Sequence, residues 1–211
     1  MWRARLDPSL DVLCDVLSRD ERARAEAIVG VRTRRYWRRS RGFMRAVLAL
    51  YLGLKPHELR FLLDESGKPR LANDATGSTG VRFHFSLSHS GDRALLALCR
   101  GHALGVDVEL DRRELDEPTL AMRAFGAREG ARLLALDSEE RRGELLRAWT
   151  RREAVLKLGK PSSPDEPSPW VIDLDMGKVG SAALALSAVP DALRCWEWSL
   201  EENAMPALAD L

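Results

Sequence analysis

The stretch LGVDVEL, residues 104–110, has the alternation of a buried strand but carries two acidic residues. Val106 and Val108 suit a strand core, whereas Asp107 and Glu109 interrupt it. Successive side chains of a strand point to opposite faces, so the two acids share one face, about 7 Å apart along the chain. Like charges on one face repel each other and resist burial. The pattern therefore indicates either an edge strand with a solvated acidic face or a site for a hard cation such as Mg²⁺, which prefers carboxylate oxygens.

Outward from this strand, the sequence predicts more strands and several helices. Apolar residues at helical spacing, ended by a glycine, predict a helix over about residues 34–52. A capping-box spacing and an apolar stripe predict another over 138–158, after one or two helices in EPTLAMRAFGAREGARLLAL. The other predicted strands are FHFSLS (83–88), RALLALC (93–99), WVIDLD (170–175), AALALS (182–187) and LRCWEWSL (193–200). Because helices precede strands in both halves, the sequence predicts an α+β fold.

Composition places the chain among soluble globular proteins. It has 211 residues, of which 45% are hydrophobic and 31% charged, and its net charge of +1 argues against wholesale nucleic-acid binding. Three widely spaced cysteines indicate reduced thiols and not a disulfide framework. The N-terminus lacks a signal-peptide core, and no apolar run approaches the roughly 20 residues that cross a bilayer. We therefore expect a cytoplasmic protein without a membrane partner.

A second candidate site lies in RAWTRREAVLKLGK, residues 147–160. On a helix, Trp149, Glu153 and Lys157 are four apart and share one face, whose buried side the tryptophan marks. Glu153 and Lys157 could form an ordinary ion pair, which contributes a few tenths of a kcal/mol. Alternatively, Glu153 supplies a third carboxylate to a metal and Lys157 contacts a phosphate.

Two further patterns suit phosphate binding. In FSLSHSGD, residues 85–92, His89 lies between two serines next to a glycine, which is typical either of a plain hairpin turn or of a phosphate site. The predicted helix over 34–52 carries a basic stripe, which indicates a phosphate site, a solvated face or a nucleic-acid surface. Its members are Arg34, Arg38, Arg41 and Arg45.

Taken together and in order, these motifs resemble those of the surfactin-synthetase-type 4′-phosphopantetheinyl transferases. That family is marked by a G-[VI]-D-[VI]-E strand and, some 40 residues later, by W-x-x-K-E-A-x-x-K; here Arg152 replaces the lysine before the glutamate. The matching segments are GKP (67–69), FSLSHSG (85–91), LGVDVE (104–109), RAFGARE (123–129) and WTRREAVLK (149–157).

The resemblance implies an enzyme that transfers 4′-phosphopantetheine from coenzyme A to a serine of a carrier protein and releases 3′,5′-ADP. It implies Mg²⁺ bound by Asp107, Glu109 and Glu153, and it places Glu129 near that cluster. Glu153 would act as the base and Lys157 would stabilise the leaving 3′,5′-ADP. The implied coenzyme A contacts are Arg41, Arg45, Lys68, Ser88, His89 and Lys157.

The resemblance also implies a fold of two similar α+β lobes related by a pseudo-twofold, with the active site in the cleft between them. We expect lobes over 1–103 and 104–211, a monomer, and an apo carrier protein of fatty-acid, polyketide or peptide synthesis as partner. The alternatives are a Mg²⁺-dependent nuclease or phosphohydrolase, and a non-catalytic nucleic-acid-binding module that uses the arginine-rich helix. Nucleases commonly place their Glu and Lys two apart on a strand, which counts against the first alternative.

Overall fold

A computed structural model describes residues 1–65, 67–72, 81–111, 115–159 and 167–199. The chain divides into two compact units, of which the second is Ala103–Pro190. The first contains Met1–His102 and also the C-terminal stretch that begins at Asp191. Both units mix helices and sheet, so the predicted α+β class is confirmed. The predicted pseudo-twofold likeness of the lobes stays a prediction.

The first unit packs one long helix against a four-stranded sheet. The elements are β1 (Trp2–Arg5), a 3₁₀ helix (Pro8–Val16), α1 (Arg19–Glu26), α2 (Val31–Leu52), a 3₁₀ turn (Pro56–Glu58), β2 (Phe61–Leu63), β3 (Pro69–Leu71), β4 (Phe83–Ser90), β5 (Arg93–Arg100) and β9 (Trp196–Glu197). The order of strands in the sheet is β4-β5-β1-β9, in which β1 runs antiparallel to β5 and parallel to β9. Strands β2 and β3 form a separate two-stranded antiparallel ribbon.

Local sequence explains where the helices of this unit begin and end. Ser18 and Glu21 form a reciprocal capping box at the start of α1. Helix α2 ends at Gly53, whose φ of 65° is the left-handed conformation that favours glycine. Phe43 and Leu48 of α2 are fully buried in a core that also holds apolar side chains of β4 and β5.

The second unit packs two helices with a three-stranded antiparallel sheet. The elements are β6 (Leu104–Leu110), α3 (Glu117–Leu134), α4 (Ser138–Leu158), β7 (Trp170–Leu174), a 3₁₀ turn (Gly177–Val179) and β8 (Gly180–Leu186). The order of strands in the sheet is β6-β8-β7, and α4 packs on β6 and β8. The predicted helix over 138–158 and the strand over 104–110 are confirmed at both ends.

Two predicted features differ from the structure. The predicted boundary gave residues 104–211 to the second lobe. In the structure, Trp196 pairs with Trp2 in the sheet of the first unit, and the two rings stack with their centroids 5.4 Å apart. The end of the described chain therefore belongs to the first unit, and the predicted strand over 193–200 is shortened to Trp196–Glu197.

Among the helices of the described residues, none has the length and apolar composition of a membrane span.

Candidate functional site

The acidic strand β6 carries its two carboxylates toward helix α4. Asp107 lies opposite Ala183 and Glu109 opposite Ser181 in the antiparallel pairing with β8. Ala183 packs with Ala154 of α4, so this face of the sheet is the one that the helix covers. Asp107 is only 4% exposed, whereas Glu109 is half-buried. The predicted shared face of the two acids is confirmed, and a solvated edge does not describe Asp107.

Gly105 explains how close the helix comes to the strand. A Cβ atom at this position would overlap the carbonyl oxygen of Ala154 and the amide nitrogen of Leu158, and would lie 2.8 Å from the carbonyl carbon of Lys157. Any side chain would therefore push the last turns of α4 away from β6. The glycine of GVDVE is thus a packing requirement, because it brings the end of α4 onto the acidic strand.

Helix α4 completes the cluster with Glu153 and Lys157. The Lys157 Nζ atom donates to Asp107 Oδ1 at 2.6 Å. Burial raises the pKa of the Glu153 carboxyl, and the negative charges of Asp107 and Glu109 raise it further, while Lys157 and Arg152 lower it. Residues 50 positions apart in the chain therefore form one electrostatic cluster of three carboxylates and a lysine.

The donor set of this cluster fits a hard divalent cation. The negative charges of Asp107 and Glu109 both act on Glu153, and the single ammonium of Lys157 offsets only part of the charge of the three carboxylates. Carboxylate oxygens are also the protein ligands that Mg²⁺ prefers, usually one or two of them together with water and substrate phosphate. Among the described side chains, no group of three His, Cys, Asp or Glu is already arranged to hold a metal ion.

A mainly apolar groove adjoins Glu153, between α3 and α4. Its volume is about 520 Å³. Apolar side chains from both helices form the wall, and charged groups lie among them. The lining includes Leu120, Ala124, Trp149, Arg123, Arg152 and Glu153. The sequence pointed to Trp149, Arg152 and Glu153 of α4 but not to the groove itself, because the groove depends on how α3 packs on α4.

In the first unit, Arg45 is held differently from the prediction. It is 2% exposed, and its Nε atom donates to Glu21 Oε2 at 2.7 Å. Its Nη1 atom donates to the carbonyl oxygens of Pro56, at 2.7 Å, and Leu59, at 3.2 Å. The guanidinium also lies over the Phe61 ring, 5.1 Å from its centroid. These contacts give Arg45 a structural role, since two of its three nitrogens are already engaged inside the protein.

Arg41, one turn earlier on α2, contacts an aromatic ring and a thioether sulfur. Its guanidinium lies over the Trp37 ring, 5.2 Å from the centroid, and Nη1 lies 3.6 Å from Met44 Sδ. Burial lowers the pKa of Arg41, with Arg24 and Arg45 adding to that effect and Glu21 opposing it. The predicted single basic stripe is thus divided, because Arg45 is internally paired while Arg41 stacks on an indole.

The remaining predicted coenzyme A contacts lie on β4 and on the turn before β3. Ser88 is buried and His89 half-buried at consecutive positions of β4, so their side chains point to opposite faces. The predicted strand over 83–88 is longer in the structure, since β4 continues through Ser90. Lys68 exchanges two hydrogen bonds with Asp64, one of them from the Lys68 amide to Asp64 Oδ1 at 2.9 Å. The coenzyme A roles of these residues stay predictions.

Two family descriptions match almost all of the chain. Residues 1–100 match the N-terminal part of 4′-phosphopantetheinyl transferases, and residues 103–204 match the 4′-phosphopantetheinyl transferase superfamily. The chain belongs to this superfamily. The surfactin-synthetase type within it stays a prediction.

Individual relatives of the superfamily agree. The chain is 37% identical to the 4′-phosphopantetheinyl transferase HetI of Nostoc sp. over 160 residues, which cover 74% of this chain and 66% of the relative. It is 30% identical to a putative 4′-phosphopantetheinyl transferase of Synechocystis sp. over 142 residues, with coverages of 67% and 56%. For AcpT of Salmonella typhimurium the identity is 36% over 93 residues, with coverages of 44% and 45%. The chain therefore covers less than two thirds of the length of each of these three relatives.

Membership of the superfamily does not favour the nuclease, phosphohydrolase or nucleic-acid-binding alternatives. Glu153 and Lys157 also lie on a helix, four residues apart, as the sequence predicted. Glu129, expected near the metal cluster, forms an exposed ion pair with Arg132 at 2.6 Å. Its place near the cluster stays a prediction.

Replacing Arg45 with lysine is expected to lower the free energy of unfolding by about 1–3 kcal/mol, because an ammonium cannot reproduce the guanidinium's contacts with Glu21 and two carbonyls. Urea unfolding measures this change. Arg35→Lys, at an exposed position of the same helix, is the matched control and should stay within about 0.5 kcal/mol of the parent protein. Equal stability of the two variants would contradict the structural role of Arg45.

Proposed function

We propose that this protein transfers 4′-phosphopantetheine from coenzyme A to a serine hydroxyl of a carrier protein, with release of 3′,5′-ADP, in a reaction that depends on Mg²⁺. The observation that carries the proposal is the cluster of Asp107, Glu109, Glu153 and Lys157 in a chain of this superfamily. It brings metal-binding acids, a candidate base and a cation for phosphate onto one strand and one helix.

The roles of the residues follow from their environment. In the reaction, the serine oxygen forms a bond to the phosphorus that carries the pantetheine arm, and the bond from that phosphorus to 3′,5′-ADP breaks. Glu153, the carboxylate that α4 brings to the cluster, accepts the serine proton. Lys157 donates to the phosphate of the departing 3′,5′-ADP. Asp107, Glu109 and Glu153 would hold Mg²⁺, which when bound neutralises the pyrophosphate charge.

Substrate positions follow from charge and polarity. The first unit supplies Arg41, Lys68, Ser88 and His89 as the proposed contacts with coenzyme A phosphates and nucleotide. The mainly apolar groove beside Glu153 suits the uncharged pantetheine arm. The carrier protein, the cytoplasmic location and the monomeric state belong to the same proposal.

The direct test is the mass of a carrier protein after incubation with the purified protein, coenzyme A and Mg²⁺. We expect the apo carrier to gain one phosphopantetheinyl group on its serine. Carriers of fatty-acid, polyketide and peptide synthesis should be tried separately, each with a known transferase as positive control. No gain on any carrier that the control enzyme modifies would overturn the proposal.

A further inference from the structure

The Lys157 ammonium lies where a metal bound to Asp107 would have to compete with it. Its Nζ atom is 2.6 Å from Asp107 Oδ1, and the aspartate is 4% exposed while the lysine side chain is 31% exposed. A partly exposed lysine therefore brings its ammonium to a buried carboxylate. One ammonium and one carboxylate oxygen thus form a close, partly buried ion pair inside the acidic cluster.

A carboxylate at this depth requires a counter-charge. Moving an ionised carboxylate out of water is costly unless it is paired, and removal of one partner of a buried pair leaves an uncompensated charge. Glu109 and Glu153 add negative charge to the same cluster, since Glu109 shares the face of Asp107 on β6 and Glu153 lies on α4, which covers that face. Gly105 allows α4 to approach so closely that the lysine can supply the compensation from the helix.

We propose that Lys157 is an internal counter-cation that stabilises the metal-free carboxylate cluster and competes with a divalent cation for Asp107. This inference rests on the Mg²⁺ part of the proposed function. It gives Lys157 two positions: on Asp107 in the absence of metal, and free to donate to a phosphate once a metal has taken its place. Lys157 then weakens the apparent affinity for the metal. An anionic substrate strengthens that affinity, because it draws the ammonium away from Asp107.

The test compares Mg²⁺ binding to the parent protein and to Lys157→Met, without coenzyme A or carrier. Methionine keeps the length of the apolar stem and removes the charge. We expect a lower thermal midpoint in EDTA, because the acids lose their counter-cation. We expect the Mg²⁺ dissociation constant, from midpoint shifts and from calorimetric titration, to fall about tenfold, which corresponds to about 1.4 kcal/mol.

Two further variants make the comparison specific. Lys157→Arg retains the positive charge and should bind Mg²⁺ as weakly as the parent protein. Lys178→Met removes an exposed lysine of the same unit and should change neither the EDTA midpoint nor the dissociation constant. If Lys157→Met does not fold in EDTA, Lys157→Gln takes its place in the titration.

The outcomes separate this inference from the proposed function. Equal Mg²⁺ affinity in the parent protein and in Lys157→Met overturns the inference, while carrier modification in the mass assay leaves the transferase proposal intact. Absence of Mg²⁺ binding in both proteins overturns the inference together with the metal part of the proposed function. Tighter binding in Lys157→Met and unchanged binding in Lys157→Arg support it.

Discussion

Replacing Asp107 with asparagine is expected to slow the proposed transfer of phosphopantetheine to a carrier protein by about 10³-fold, or about 4 kcal/mol of transition-state stabilisation. Asparagine has nearly the same shape, so the strand should persist while the cluster loses its most buried charge. The proposed Mg²⁺ site then lacks a ligand, and Lys157 lacks its ion-pair partner. The initial rate is measured by mass spectrometry of the carrier at saturating coenzyme A and Mg²⁺.

The same sheet provides a matched control, Asp173 of β7. Asp107 and Asp173 lie on either side of Ala183, which pairs with both in the sheet. Asp173 forms an ion pair with Arg151 of α4. Its Oδ1 atom accepts from Arg151 Nε at 2.6 Å, but this pair is exposed. Asp173→Asn should keep the rate within about twofold, since exposed ion pairs contribute little. An equal loss in both variants, or full activity in Asp107→Asn, would contradict the proposed metal site.

The elements around the site follow local patterns, which is why the sequence predicted them well. Alternation with period two defines β6 over Leu104–Leu110 even though two of its residues are charged. An apolar stripe at helical spacing defines α4 over Ser138–Leu158. Within each element, the shared faces of Asp107 with Glu109 and of Glu153 with Lys157 need no knowledge of the rest of the fold.

The partners of these elements depend on packing between distant segments. The contact between Asp107 and Lys157 joins residues 50 apart, and only the resemblance to a family brought them together at the sequence level. Helical spacing placed Arg45 in a basic stripe, but it could not show the partner Glu21, which lies 24 residues away on another helix. The pairing of Trp196 with Trp2 crosses nearly the whole chain, so no local pattern assigned the C-terminal strand to the first unit.

Gly105→Ala is expected to lower the free energy of unfolding by more than about 3 kcal/mol, at the upper end of what overpacking costs. The added methyl would overlap backbone atoms of Ala154 and Leu158, which cannot rotate away as a side chain could. The overlap is relieved only if α4 moves away from β6 as a rigid unit, because its backbone hydrogen bonds keep the helix straight. Urea unfolding, followed by circular dichroism, measures the loss.

The same helix contains the control. At Gly143 of α4, a Cβ would meet nothing closer than Arg147 Nη2 at 3.9 Å, so Gly143→Ala should stabilise the protein by about 0.5–1 kcal/mol through helix propensity. Because the displaced part of α4 carries Glu153 and Lys157, Gly105→Ala should also lose the proposed transfer activity at temperatures where it remains folded. A variant that is folded, as stable as the parent and fully active would show that the close approach of α4 is not what assembles the cluster. Loss of stability with full activity would instead separate the packing role of Gly105 from the site.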